Sequence, residues 1–218
     1  MSPGIYLGLD NRYYMAYTGR YMGINADEIS QKMHRVVFAV SDDGLNWSKL
    51  NKHYADSKNR NDFASSADVN VIDAEYVIYY TGQRSIIRAT SDGLTWVRQD
   101  IAVSAGHDST MVEYDGVYYM FAEMPKALAY ARNPDTKLDL LVMAISQDGV
   151  NWSNNYYQVV VENADGSEVI AENLQDPAAI LLPDGSLRIF LNKDGGKGIY
   201  SIKPVAALPN LDPETTDK

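Results

Sequence analysis

The chain has 218 residues, 45% hydrophobic and 22% charged, a balance that suits a folded globular protein and argues against disorder. A formal net charge of −10 excludes the clustered basic footprint that nucleic acid requires. No apolar run approaches the roughly 18 residues of a spanning helix, so neither nucleic acid nor membrane is an expected partner.

The absence of cysteine removes disulfides, thiolate metal sites and a cysteine nucleophile. The N-terminus MSPGIYLGLD lacks the basic start and apolar core of a signal peptide. The expectation is a soluble protein, cytoplasmic or secreted with its signal removed. Sixteen tyrosines against four phenylalanines favour strands, and equally suit sugar-binding clefts, because tyrosine joins a flat apolar face to a polar tip.

In chain order, a short apolar run, GIYLG (4–8), precedes a turn and a β-rich run in LDNRYYMAYTG (9–19). The hairpin motif SDDGLNW (41–47) follows. The pattern then restarts: DVNVI (68–72), IDAEYVIYYTG (72–82) and TSDGLTW (90–96). A third copy reads STMVE (109–113), YDGVYYMFAEM (114–124) and SQDGVNW (146–152). A weaker fourth keeps PAAILL (177–182), PDGSLRIFLNK (183–193) and IYSIK (199–203), then fades in PVAALPNLDPETTDK.

Trp47, Trp96 and Trp152 recur at intervals of 49 and 56 residues, the period of a four-stranded supersecondary unit. Each unit reads strand, tight turn, strand, longer loop, strand, Asp-Gly turn, strand. In copy three the strands are expected near 109–113, 117–122, 140–145 and 152–160. No segment reads as a long amphipathic helix, so the fold class is all-β, with four-stranded sheets arranged radially.

The repeated Ser/Thr-x-Asp-Gly-x-Asn/Thr-Trp is read as scaffold. Gly44, Gly93 and Gly149 supply the positive φ of a tight hairpin, and the Asp before each accepts turn amides. The tryptophans begin the outer strands, where a large ring fills space between sheets. A catalytic acid has no reason to recur identically in three blades.

Both turns of an up-and-down blade lie on one face, so function belongs to the other, where inner strands begin and long loops emerge. Counting back from the Asp115–Gly116 turn sets Asp108 across from Glu123. The equivalent pairs are Pro3 with Thr18, Ser66 with Thr81, and Asp176 with Asn192 or Lys193. Two carboxylates so paired would repel unless a cation sat nearby, and His107 and Lys126 are candidates for it. Acids thus stand in copies three and four where copies one and two carry small residues.

The YYxxYTG strands, the Ser-x-Asp-Gly-x-x-Trp hairpins and the His-Asp and Asp-Pro strand starts together resemble the five-bladed β-propeller glycosidase superfamily. That group holds the family 43 arabinanases and xylosidases and the family 32 and 68 invertases and levansucrases. The hairpin is also similar to the Asp-box of sialidases, one residue shorter between Asp and Trp. The resemblance covers most of residues 2 to 203. It implies a single β-propeller domain over 1–218, with about four blade repeats in the chain (roughly 2–60, 61–105, 106–165 and 170–205) and a tail at 206–218.

The resemblance further implies a glycosidase acting on carbohydrate in a central channel. Glycoside cleavage uses two carboxyl groups, one acid and one base or nucleophile. HDSTMVEYDG (107–116) and QDPAAILLPDG (175–185) match the family's two consecutive Asp strand starts. Asp108 would be the base or nucleophile, and Asp176 would tune the acid or hold the substrate. The family's Glu on the following blade has no counterpart, leaving Glu123, or Glu172 in the loop before Asp176, as substitutes. Substrate-binding candidates are His107, Arg20, Arg84, Arg60 and Asp62. No cofactor is required, although a channel offering oxygen ligands would suit Ca²⁺. An incomplete ring exposes sheet edges, so closure by the terminal segments or a homo-oligomer is expected.

Two other readings stay open. One is a non-catalytic carbohydrate-binding or protein-interaction propeller that has lost the catalytic Glu. The other is a sialidase-like enzyme gripping a carboxylate with Arg20, Arg60 and Arg84.

Overall fold

The computed structural model describes residues 3–20, 34–56, 63–82, 85–93, 95–104, 106–124, 140–153, 156–161, 165, 167, 174–193 and 198–204. Among these residues the chain is all-β: fifteen strands and no helix. Among the described residues no helix is long and apolar enough to cross a membrane. Two compact units divide the chain, residues 1–108 and 109–218.

The first unit holds two four-stranded antiparallel sheets. One comprises β1 (Gly4–Leu7), β2 (Tyr13–Arg20), β3 (His34–Ser41) and β4 (Ser48–Tyr54) in that order. The other comprises β5 (Ser65–Ile72), β6 (Glu75–Thr81), β7 (Ile86–Ser91) and β8 (Trp96–Val103). The second unit takes in a sheet of β9 (His107–Tyr114), β10 (Val117–Met124), β11 (Leu140–Ser146) and β12 (Tyr157–Gln158). Its partner is a three-stranded sheet of β13 (Leu174–Leu181), β14 (Leu187–Lys193) and β15 (Gly198–Ile202). The division falls after the second residue of β9.

Sequential strand order and antiparallel pairing make each sheet an up-and-down blade, as the repeat predicts. Among the described residues there are four such blades, not the five of the family the sequence resembles.

The middle strands of the second blade are buried on both faces. In β6 and β7 almost every side chain is buried, with Ile78, Tyr80 and Ala89 fully enclosed. They join Ala16, Val36 and Phe38 of the first blade in one apolar cluster. Each large side chain so buried contributes about 1.5–3 kcal/mol. A second cluster unites Phe121, Met143 and Ile145 with Leu187, Ile189 and Leu191 inside the second unit. Outward-facing positions stay apolar in places: Ile5 and Leu7 on β1 and Ile199 on β15 are exposed.

The turns follow their chemistry. Asp115 and Gly116 both have positive φ, 53° and 75°, the signature of a type I′ hairpin. Asp73 and Ala74 adopt the same form at 50° and 63°, which for alanine carries a steric cost.

The strand register departs from simple counting at the inner strands. Asp68 pairs with Tyr79, but Ser65, not Ser66, pairs with Thr81. Gln175, not Asp176, pairs with Asn192, and Leu174 pairs with Lys193. In the first blade Gly4 pairs with Ala16, one residue away from the Pro3–Thr18 alignment. The second and fourth blades share one cause. A β-bulge sits near the start of the inner strand, and its extra residue has positive φ: 47° at Ser66 and 50° at Asp176. Asp108 adopts the same conformation, with φ 50°. Bulges of this kind re-aim a side chain out of the ladder.

Candidate functional site

Asp108 follows His107 at the start of β9, and its environment is built by the YTG motif of the preceding blade. The Asp108 N–H donates to Thr81 Oγ1 at 2.8 Å. One blade earlier the Ser66 N–H donates to Thr18 Oγ1 at 2.9 Å. Both threonines are buried, and each is the middle residue of a Tyr-Thr-Gly near the end of its strand. The repeated threonine is thus an anchor for a left-handed bulge residue, a role that the sequence pattern did not reveal. Because Ser66 has the same conformation and tie, the backbone strain at Asp108 belongs to the scaffold. Its side chain is what differs.

The Asp108 carboxylate is partly buried, with 23% of the side chain exposed. His107 Nδ1 lies 2.6 Å from its Oδ2, and Ser66 also hydrogen-bonds it. Burial pushes the carboxyl up, but the bonds from His107 and Ser66 and the His107 charge outweigh burial and hold it below its ordinary value of 3.8. The group is suited to act ionised, as a base, a nucleophile or an electrostatic stabiliser.

The second unit carries the other two acids. Glu123 occupies in β10 the position of Thr18 and Thr81 in their strands, where Tyr-Thr-Gly is replaced by Ala-Glu-Met. Its side chain is buried, 4% exposed, and Gln175 Nε2 approaches its Oε1 at 3.4 Å. The next residue, Asp176, is exposed on its bulge. Asn192 Nδ2 reaches Asp176 Oδ2 at 3.4 Å. The Asn192 Oδ1 is buried with no hydrogen-bond partner among the described residues. A buried orphan acceptor is costly, and beside the exposed Asp176 carboxylate it marks a place for a donor such as a hydroxyl. Gln175 and Asn192 are side chains that sequence reasoning did not assign to the site; the shared register with Asp176 was the available signal for Asn192.

Other candidates are less defined. Arg20 ends β2 with its backbone opposite His34. Arg60, Asp62, Arg84, Lys126 and Glu172 lie outside the described residues.

The repeated hairpin is a turn. Asp43 Oδ1 accepts the N–H groups of Leu45 and Asn46 at 2.8 and 2.7 Å, and Asp148 Oδ1 does the same for Val150 and Asn151. Burial raises the Asp148 carboxyl, but these amides, with the Asn151 and Ser146 side chains, bring it down to about 2. Gly44, Gly93 and Gly149 have φ of 73°, 94° and 68°. Trp96 stacks on Phe38 of the neighbouring blade, with ring centroids 5.8 Å apart, so that tryptophan does fill space between sheets.

No known protein family matches the sequence, and no curated protein does. Solved structures do match. A GH43_1 enzyme from Xanthomonas citri, complexed with xylotriose, aligns with a TM-score of 0.74 at 13% identity, over 94% of this chain and 69% of that one. RS223 β-xylosidase gives 0.66 at 12% identity, over 93% and 77%. Zg3597, a family 117 glycoside hydrolase from the marine bacterium Zobellia galactanivorans, gives 0.62 at 16%, over 91% and 64%. At these identities the likeness shows the fold: a β-propeller of the kind found in glycoside hydrolases. The chain spans about 59–64% of the length of several such structures.

Proposed function

We propose that the protein is a glycoside hydrolase of the propeller type, using carboxylate chemistry on a carbohydrate. The observation that carries this reading is the distribution of acids over a repeated scaffold. The same left-handed bulge position holds Ser66 in one blade and aspartate, Asp108 and Asp176, in the next two. Likewise the anchor position holds Thr18 and Thr81, then Glu123. A scaffold needs none of these three acids, because serine and threonine satisfy the same geometry.

In this reading Asp108, held ionised by His107 and Ser66, serves as base or nucleophile. Asp176 holds or tunes the substrate from its exposed bulge, and Glu123 is the remaining source of the acid. His107, with Arg20, Arg60, Asp62 and Arg84, contributes to substrate binding. The xylotriose of the family 43 neighbour and the xylosidase name of another make xylosides the first substrates to test. A panel of aryl arabinofuranosides, xylosides, fructosides and sialosides, assayed with EDTA present, tests the reading. Turnover of at least one that survives EDTA supports hydrolysis without a required cofactor.

The second reading is a non-catalytic carbohydrate-binding propeller. It is favoured by the absence of an acid in SPGIY at the start of the first inner strand, and by the burial of Glu123 at an anchor position. Sugar binding without turnover of any glycoside in the panel would select it.

A further inference from the structure

A cavity of about 690 Å³ opens in the first unit, away from Asp108. Its lining runs from Arg12, Gly93 and Thr95 beside the hairpin turns along β4 to Tyr54 and Ala55 at the far end of that strand. Its size falls in the range of small-molecule sites, and close-packed interiors do not leave such a space by default.

The cause is in β4. Val37 pairs with His53 and Ala39 with Lys49, so a single residue, Phe38, opposes three, Leu50 to Lys52. This double bulge bows the outer strand away from the sheet. Phe38, Leu50 and Lys52 all line the space that results.

The walls are aromatic. Tyr6 stacks on Tyr14 with centroids 5.5 Å apart and meets Tyr76 edge-on at 6.0 Å. Trp96 lines the other side, backed by Phe38. The rings are locked: Tyr14 donates to Asp10 at 2.8 Å, and Tyr76 accepts the Leu9 N–H at 2.9 Å. Arg12 on the rim is paired with Asp42 at 2.7 Å.

Not every polar group of the lining is committed. Among the described residues the Tyr6 hydroxyl and the Lys52 ammonium have no hydrogen bond or ion pair. Lys52 lies on the bulged stretch of β4 and belongs to the cavity lining. Rigid ring faces with a few unpaired donors match the C–H faces and hydroxyl edges of a saccharide.

We propose that this cavity is a second carbohydrate-binding site, separate from the acids of the proposed catalytic function. Ring faces of Tyr14 and Trp96 pack against one or two sugar units, while Tyr6 and Lys52 bond their oxygens. The site holds glycan without cleaving it, since none of Asp108, Asp176 and Glu123 lines it.

The test uses Trp96 as reporter in a Trp47→Phe/Trp152→Phe background, which leaves one tryptophan of three. Xylotriose, arabinotriose, mannotriose and trigalacturonate are titrated to about 10 mM, a concentration that reveals millimolar affinity. At least one is expected to give a saturable change in Trp96 emission. Tyr6→Phe and Lys52→Ala, which remove donors and leave the ring walls, should each weaken that affinity about fivefold or more. Asp108→Asn/Asp176→Asn should leave it unchanged. No saturable change with any of the four, unaltered affinity in both donor variants, or loss of the signal in the Asp variant would each overturn the proposal. These outcomes are independent of glycoside turnover, so the catalytic reading can fail while this one stands.

Discussion

Replacing Thr81 by valine removes one oxygen and keeps the shape of the side chain. In the structure that oxygen accepts the Asp108 N–H at 2.8 Å, and Thr81 is only 8% exposed. A valine methyl in its place leaves the amide facing an apolar group. Stranding such a group costs about 1–3 kcal/mol. The amide is partly buried, so about 1.5 kcal/mol is expected. For a chain of this size that corresponds to a fall in Tm of about 3–6 °C. Thr81→Ser keeps the acceptor and should recover most of the loss. Chemical denaturation, with m unchanged, measures the difference. Thr18→Val should cost a similar amount, because Thr18 holds Ser66 in the same way. If Thr81→Val were within about 0.5 kcal/mol of wild type, the usual range of an inconsequential substitution, the anchoring role of the YTG threonine would be wrong.

Other expectations can be measured on the same footing. Ala74→Gly relieves a left-handed alanine at φ 63° and should stabilise the protein by about 1 kcal/mol in denaturant melts; a loss of stability would contradict the turn assignment. Asp148, lowered to about 2, contributes stability that is present above its ordinary value of 3.8 and lost as pH falls through about 2. Asp148→Asn should therefore be less stable by about 1 kcal/mol near neutrality, with the gap closing below pH 3.8 and gone near 2. Glu123→Thr restores the residue used in the two earlier blades. It should leave thermal stability unchanged or raised while lowering kcat on any glycoside that is turned over, and an unchanged kcat would reduce Glu123 to an anchor.

The scaffold was legible because it rests on local chemistry written several times. Turn residues at fixed offsets, β-rich runs and the Trp spacing gave the first three strands of copy three to within a few residues and identified the Asp-Gly hairpins as turns, whereas the fourth, expected over 152–160, is only Tyr157–Gln158. What counting missed depends on contacts between distant residues. Ser66, Asp108 and Asp176 have positive φ, which such residues usually avoid, and a threonine of the preceding blade holds the backbone of the first two. Nothing in the spacing of Thr81 and Asp108, 27 residues apart, announces that bond. The double bulge of β4 likewise leaves no periodic trace in SKLNKHY. The acids themselves were visible because a repeat makes its departures conspicuous.

The most direct test of the central claim is kcat/KM on the best aryl glycoside for wild type, Asp108→Asn and Asp176→Asn. The wild type is expected to turn over, with the acid limb of its pH profile below 3.8 because Asp108 is held ionised there. Asp108→Asn should lose about 100-fold or more while remaining folded, and Asp176→Asn should lose less. Equal turnover by wild type and Asp108→Asn would contradict the account.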